Sequence, residues 1–189
     1  LVVLGSLFLI SGLSLIFLTI YTGFKTKTDE DIALDNFYIE EQQEEITDNT
    51  TTEEVVEEKK ETSINYIAVL RIPKINFNKG FYPKESEQND VDKNLLLVKE
   101  ANYPDVAKGN LIIAGHSGTA WNSFFNDLYK LSVGDTAKVK FQGKTYTYKF
   151  VNIYKASKTG TISIYRNSKR TTLTLVTCTN NDSTTQTIY

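Results

Sequence analysis

The sequence predicts an all-β domain with short helices, folded as a closed or partly closed barrel, behind an apolar N-terminal helix. Three observations carry this. At least six short runs between Asn65 and Tyr189 are β-rich or alternate apolar with polar residues, as half-buried strands do. Gln142-Gly143 separates two such runs and reads as a hairpin turn. Residues 1–21, LVVLGSLFLISGLSLIFLTIY, carry no charge.

Taken in order, the apolar run comes first. At about 1.5 Å per residue it would span roughly 32 Å as a helix, the thickness of a bilayer's hydrocarbon core. It is longer than the core of a signal peptide, and no small-x-small cleavage site follows it, so a retained transmembrane anchor over 1–24 is expected. Lys25 and Lys27 follow the run and argue weakly for a cytoplasmic C-terminal side, which leaves orientation open at this point.

Residues 25–62 form the next expected unit, an acidic flexible linker. Between Asp29 and Glu61 stand 14 acidic residues and two lysines, with few apolar side chains to bury. Subtracting the N-terminal charges leaves 17 basic and 9 acidic residues from 62 onward, about +8 where the whole chain is −2. Such a domain suits an anionic surface such as a cell wall or lipid headgroups. Nucleic acid is not expected as a partner, because the bases are dispersed and no reader motif occurs. One cysteine excludes an internal disulfide, and one histidine beside it excludes a typical zinc cage, so neither metal nor cofactor is expected.

The folded unit, 63–189, is long enough for one packed core. Expected strands are NYIAVLRI (65–72), LIIAG (111–115), TAKVKF (136–141), KTYTYKFVNIYKA (144–156), TISIY (161–165), TTLTLVTC (171–178) and TQTIY (185–189), the last one stopping abruptly. Short helices are expected in VDKNLLLVKEA (91–101) and WNSFFNDLYKL (121–131). Tyr146, Tyr148 and Phe150 share one strand face and read as barrel wall.

His116 follows LIIAG and Cys178 ends TTLTLVTC, so each lies where a strand gives way to a loop, the usual place for reactive groups. A thiol is a useful nucleophile as thiolate and needs a proton acceptor or a positive charge nearby. His116 could supply either. Equally, a lone cysteine can be a small buried hydrophobe and a lone histidine a satisfied polar residue, and pattern alone leaves both open.

The local motifs go further. TLVTC (174–178) matches the T-L-x-T-C signature of sortases, the membrane-anchored cysteine transpeptidases of Gram-positive bacteria. LIIAGHSG, followed by LYKLSVGD, resembles the histidine segment of that family, and TAKVKFQGKTYTYKFVNIY is similar to the hairpin after it. The resemblance covers roughly residues 64–189. It implies a closed eight-stranded β-barrel facing outward from the cell membrane on a single-pass anchor, with the acidic spacer holding it off an anionic surface. It implies that Cys178 attacks an LPxTG-like sorting signal to give a thioester. An amine of a peptidoglycan precursor or a pilin then resolves it. His116 is the implied acid for the leaving amine, and Thr177 belongs to the substrate groove; Trp121, near His116 in sequence, could line the groove or pack over the barrel end.

One element of that pattern is missing. Sortases carry an arginine on the strand after the cysteine, whereas no arginine or lysine follows Cys178 here. Gln186 stands at roughly that position and could donate a neutral hydrogen bond. Arg170 or Arg71 could instead reach in, or an arginine could lie beyond Tyr189. A hydrolase using water as acceptor would need the same residues, and a catalytically impaired surface-binding barrel would explain the missing arginine. An L,D-transpeptidase is disfavoured, because its S-H-G-C context is absent.

Overall fold

The structure, a computed structural model, describes residues 2–47, 65–158, 164–165 and 167–189, with the side chains of 2–9, 24, 26–29 and 40–47 outside the description. It opens with one long helix, α1 (Val2–Thr47). Among the described residues nine strands follow: β1 (Ala68–Ile72), β2 (Phe77–Phe81), β3 (Leu96–Leu97), β4 (Asn110–Ala114), β5 (Thr136–Phe141), β6 (Lys144–Lys149), β7 (Tyr154–Ser157), β8 (Thr172–Cys178) and β9 (Thr185–Ile188).

These strands form two sheets, in the orders β2-β1-β5-β6 and β3-β4-β8-β9-β7. The expected closed, eight-stranded barrel is therefore corrected to a four-stranded and a five-stranded sheet, not joined by strand pairing among the described residues. The cause lies in the run 144–156, expected as one strand. Phe150 turns inward and its backbone bonds back to Asp135 and Gly134, ending β6. Residues 151–153 then leave the ladder, and β7 pairs with β9 in the other sheet.

The β5–β6 hairpin is as expected. Gln142 and Gly143 both take positive φ, 49° and 70°, the twist that a two-residue hairpin loop demands. Of the run TISIY, residues 161–163 lie outside the described residues. The strand β2 (FNKGF) was not expected, since its Gly80 and polar interruptions weaken the alternation.

Neither expected short α-helix forms. In 91–101 the side chains compete with the helix: Asn94 accepts from the Leu95 N–H at 2.7 Å and Asn89 from the Leu97 N–H at 2.7 Å, which frees Leu96–Leu97 to join β4. In 121–131 the chain runs through i-to-i+3 turns to a 3-10 turn at Leu128–Lys130. Phe125, Leu128 and Leu131 are buried, a spacing of three rather than the wider spacing expected for an α-helix.

The core lies between the sheets. Leu70, Ile72, Phe81, Leu97, Leu111, Ile113, Val139 and Leu175 are fully buried, each contributing about 1.5–3 kcal/mol by leaving water.

The N-terminal expectations change most. Helix α1 continues through Thr47, so residues 25–47 are helical rather than an extended spacer, and 48–62 lie outside the described residues. Ala33, Leu34, Phe37 and Tyr38 pack on Tyr66, Val69 and Tyr82, which gives the acidic segment an apolar face to bury. Among the described residues no helix is long and apolar enough to cross a membrane.

Candidate active site

The site is built where β4 and β8 end side by side. They pair in parallel, Asn110 with Thr172 through Ala114 with Val176, and His116 and Cys178 each come two residues after that last pair. Neighbouring strands lie about 4.8 Å apart, so residues distant in sequence are brought to adjacent strand ends. The link continues past the ladder: the Gly115 N–H donates to the Val176 carbonyl at 3.1 Å, and the Ser117 hydroxyl to the Cys178 carbonyl at 2.8 Å.

Thr177 closes the same link from the other side. Its hydroxyl donates to the Gly115 carbonyl at 2.8 Å, so this buried side chain fastens the histidine loop. It also lines, with Cys178, Asn180, Phe125, Tyr129 and Lys155, a cavity of about 220 Å³.

The histidine loop is held on three sides. The Phe125 N–H donates to the His116 carbonyl at 2.8 Å, and the Gly118 N–H to the Asn126 carboxamide. Gly115 must be a glycine: a Cβ there would stand 2.8 Å from the Phe125 ring and 3.1 Å from Leu95. His116 Nε2 lies 2.9 Å from Asp92 Oδ1, and the Asn122 carboxamide donates to the Asp92 carbonyl at 3.0 Å. Asp92 therefore fixes one ring nitrogen and leaves Nδ1 for other work.

Cys178 is free and half-buried at the end of β8. Directly across the antiparallel β8–β9 ladder from it stands Gln186. The Gln186 Oε1 is buried with no hydrogen-bond partner, a state that costs about 1–3 kcal/mol unless something else satisfies it. Arg71 lies on β1 in the other sheet. Arg170 precedes Thr172 at the opposite end of β8, eight residues and roughly 26 Å of strand from Cys178. Neither arginine is placed to replace Gln186.

Trp121 is largely exposed and packs edge-on against Phe124, next to Asp92 rather than over the end of the core. His116, Cys178 and Gln186 thus lie at or just beyond the ends of three adjacent strands, and Thr177 ties Gly115, next to His116, to β8. Asp92 and Ser117 were missed in the sequence. Asp92 is 24 residues from His116, inside a run read as helix, and carries no local signal of its role.

On the loop after Cys178, Asp182 accepts from Thr184 and Thr185. Those bonds hold its carboxyl well below the usual range, so the loop is a turn closed by its own side chains.

Comparison with known proteins bears on the family and the fold. A family model described as the sortase domain matches residues 70–189. The fold is similar to a Clostridium perfringens sortase D5 transpeptidase, with 24% identity over 86% of this chain and 93% of that one and a TM-score of 0.58. Sortase C1 from Streptococcus agalactiae matches with 26% identity over 69% of this chain and 67% of that chain, TM-score 0.57. Sortase E1 from Streptomyces coelicolor, solved with a tripeptide in its active site, matches with 26% identity over 65% and 84%, TM-score 0.50. No curated protein sequence matches. With the family model spanning well over half of its length, the chain belongs to the sortase family.

Proposed function

We propose that the protein is an active cysteine transpeptidase that cleaves an LPxTG-like sorting signal and transfers the new carboxyl end to an amine of the cell wall or a pilin. The observation that supports this reading is the register: β4 and β8 run in parallel up to Ala114 and Val176, two residues before His116 and Cys178, and Gln186 pairs with Cys178 across β8–β9.

In the first half-reaction the Cys178 thiolate attacks the scissile Thr–Gly carbonyl. The C–N bond breaks, and the leaving amine takes its proton from His116. In the second, an amine nitrogen attacks the thioester and the C–S bond breaks. The electron pair returns to the Cys178 sulfur, and the amine's surplus proton passes to His116. Gln186 takes the place of the absent arginine: its NH₂ donates to the oxyanion, and its unpartnered oxygen accepts from a substrate N–H.

The outer face of β8 offers a path for the signal. Tyr154, Tyr165, Thr172, Thr174 and Ile188 line a small apolar cavity of about 90 Å³, suited to an apolar side chain. It lies four to six residues along β8 from Cys178, roughly 13–20 Å, which four to six extended peptide residues would bridge.

The membrane anchor belongs to the same proposal. Ile10, Leu13, Ile16, Phe17 and Ile20 are all exposed on α1, an uncharged surface without protein cover, and family membership, against the weak pull of Lys25 and Lys27, supports an outward-facing catalytic domain.

The deciding experiment incubates the protein with an LPxTG peptide library, with and without an added amine. The expected result is cleavage that produces an amide when amine is present. Cleavage to the free acid alone, whatever the amine, would assign the protein as a hydrolase instead.

A further inference from the structure

Strand pairing sets the outer face of the sheet β2-β1-β5-β6. Arg71 stands between Asn78 and Lys138, and Lys138 is paired in turn with Thr147. Direct partners share a face, so Lys140 and Lys149, two residues further along their strands, lie on it too. Leu70, Ile72, Ala137 and Val139 alternate with these residues and point into the core. None of the four strands contains an aspartate or a glutamate.

Lys79, on the opposite face, is 5% exposed and already answered by Glu30 Oε1 at 2.7 Å. Arg71, Lys138 and Lys149 are exposed and have no carboxylate partner among the described residues. Arg71 and Lys138 stand directly opposite each other, where like charges repel. Protection of a sheet edge does not call for them, because β1 and β5 are the two central strands. A surface that serves solubility alone mixes both signs. With Lys149 the pair falls within roughly 12 Å, interleaved with Thr136, Thr145 and Thr147, whose hydroxyls are further donors. A row of linked anions relieves the repulsion across all three charges at once.

We propose that this face docks a linear phosphodiester polymer, the kind of chain that makes a cell wall anionic. The Tyr38 ring lies 5.0 Å from the Lys140 ammonium, so α1 meets the face there. Tyr38 comes 14 residues after Phe24, where the proposed anchor ends, about 21 Å along the helix. The headgroup layer on each side of a bilayer is only roughly 5–8 Å thick. An anchored chain with α1 upright therefore holds the face beyond lipid phosphates and within reach of the wall. The choice of polymer over lipid rests on that anchored reading; the cationic face does not.

The full chain in neutral detergent micelles is titrated against labelled poly(glycerol phosphate) at graded salt, with fluorescence anisotropy as the readout. Saturable binding is expected. Arg71→Gln and Lys138→Gln should each weaken it about threefold to tenfold and take about one unit off the slope of log affinity against log salt. Lys99→Gln and Lys169→Gln, which remove exposed charges elsewhere, should leave it unchanged. Equal loss in all four variants would reduce the effect to net charge and overturn the face. No binding at low salt would leave the face to the chain's own acidic stretch, Glu40 to Glu61, and overturn it as well. Flotation that gains from phosphatidylglycerol over neutral vesicles, and loses that gain in Arg71→Gln, would assign the face to the membrane instead. Polymer binding by a chain that does not float with neutral vesicles would leave the face standing and remove the anchor reading.

Discussion

Asp92 meets His116 through a single hydrogen bond of 2.9 Å, and its own carboxylate is otherwise largely exposed. A bond to a charged group is worth about 1.5–3 kcal/mol, so Asp92→Ala should lower kcat at least about tenfold and leave KM nearly unchanged. The split matters, because a merely structural role would not confine the loss to kcat. Gln186→Ala, removing an oxyanion donor, should cost about 10²–10³ in kcat, and Gln186→Arg should restore or raise it because a charged donor is stronger. Steady-state kinetics on one peptide checks all three variants. Tyr148 supplies a stability test of its own. Its hydroxyl is buried without a partner, and burial pushes its pKa up to about 12. The stability tied to its protonated form is complete below about pH 10 and disappears as pH rises through 12. Tyr148→Phe should therefore raise stability by about 1 kcal/mol at neutral pH and flatten the alkaline loss, read by denaturant melts across pH 8–12.

At the scale of elements, the parallel pair β4–β8 was legible as two apolar runs, and its ends as the seats of His116 and Cys178. What sequence could not supply was the pairing itself: 62 residues separate the partners, and register is decided by side chains meeting across the sheet. The opposition of Cys178 and Gln186 depended on the turn at 179–184, whose hydrogen bonds set the length of the connection. The helix expected in 91–101 failed where Asn89, Asn94 and Asp90 gave backbone groups an alternative partner, a competition that periodicity does not see, and 121–131 took i-to-i+3 turns instead of an α-helix. Helix α1 was misjudged for a related reason. Its acidic composition suggested a solvated spacer, while Phe37 and Leu34 had a surface to bury on and Glu30 had Lys79 to neutralise. Glu30→Gln strands a buried ammonium and should cost on the order of 3 kcal/mol. Adding Lys79→Met to Glu30→Gln should recover most of that loss, a coupling that thermal melts of the double-mutant cycle would measure.

For the whole molecule, the order is an apolar helical start, a docked acidic continuation, and two sheets that carry the site on one strand end. If the apolar start is an anchor, the full chain should float with neutral lipid vesicles at high salt, and residues 25–189 should not. Docking of α1 at Glu30–Tyr38 would then keep the catalytic domain close to the membrane, not at the end of a long tether. The central claim is that Cys178, at the end of β8 where the neighbouring β4 leads into His116, forms a thioester with a cleaved sorting signal. Intact-mass and peptide-mapping spectrometry of the protein quenched during turnover of an LPxTG peptide tests it directly. The account predicts an added mass equal to the peptide through its threonine, located on Cys178, absent in Cys178→Ala and accumulating when amine is withheld. Peptide cleavage that persists in Cys178→Ala, or an adduct on any other residue, would contradict it.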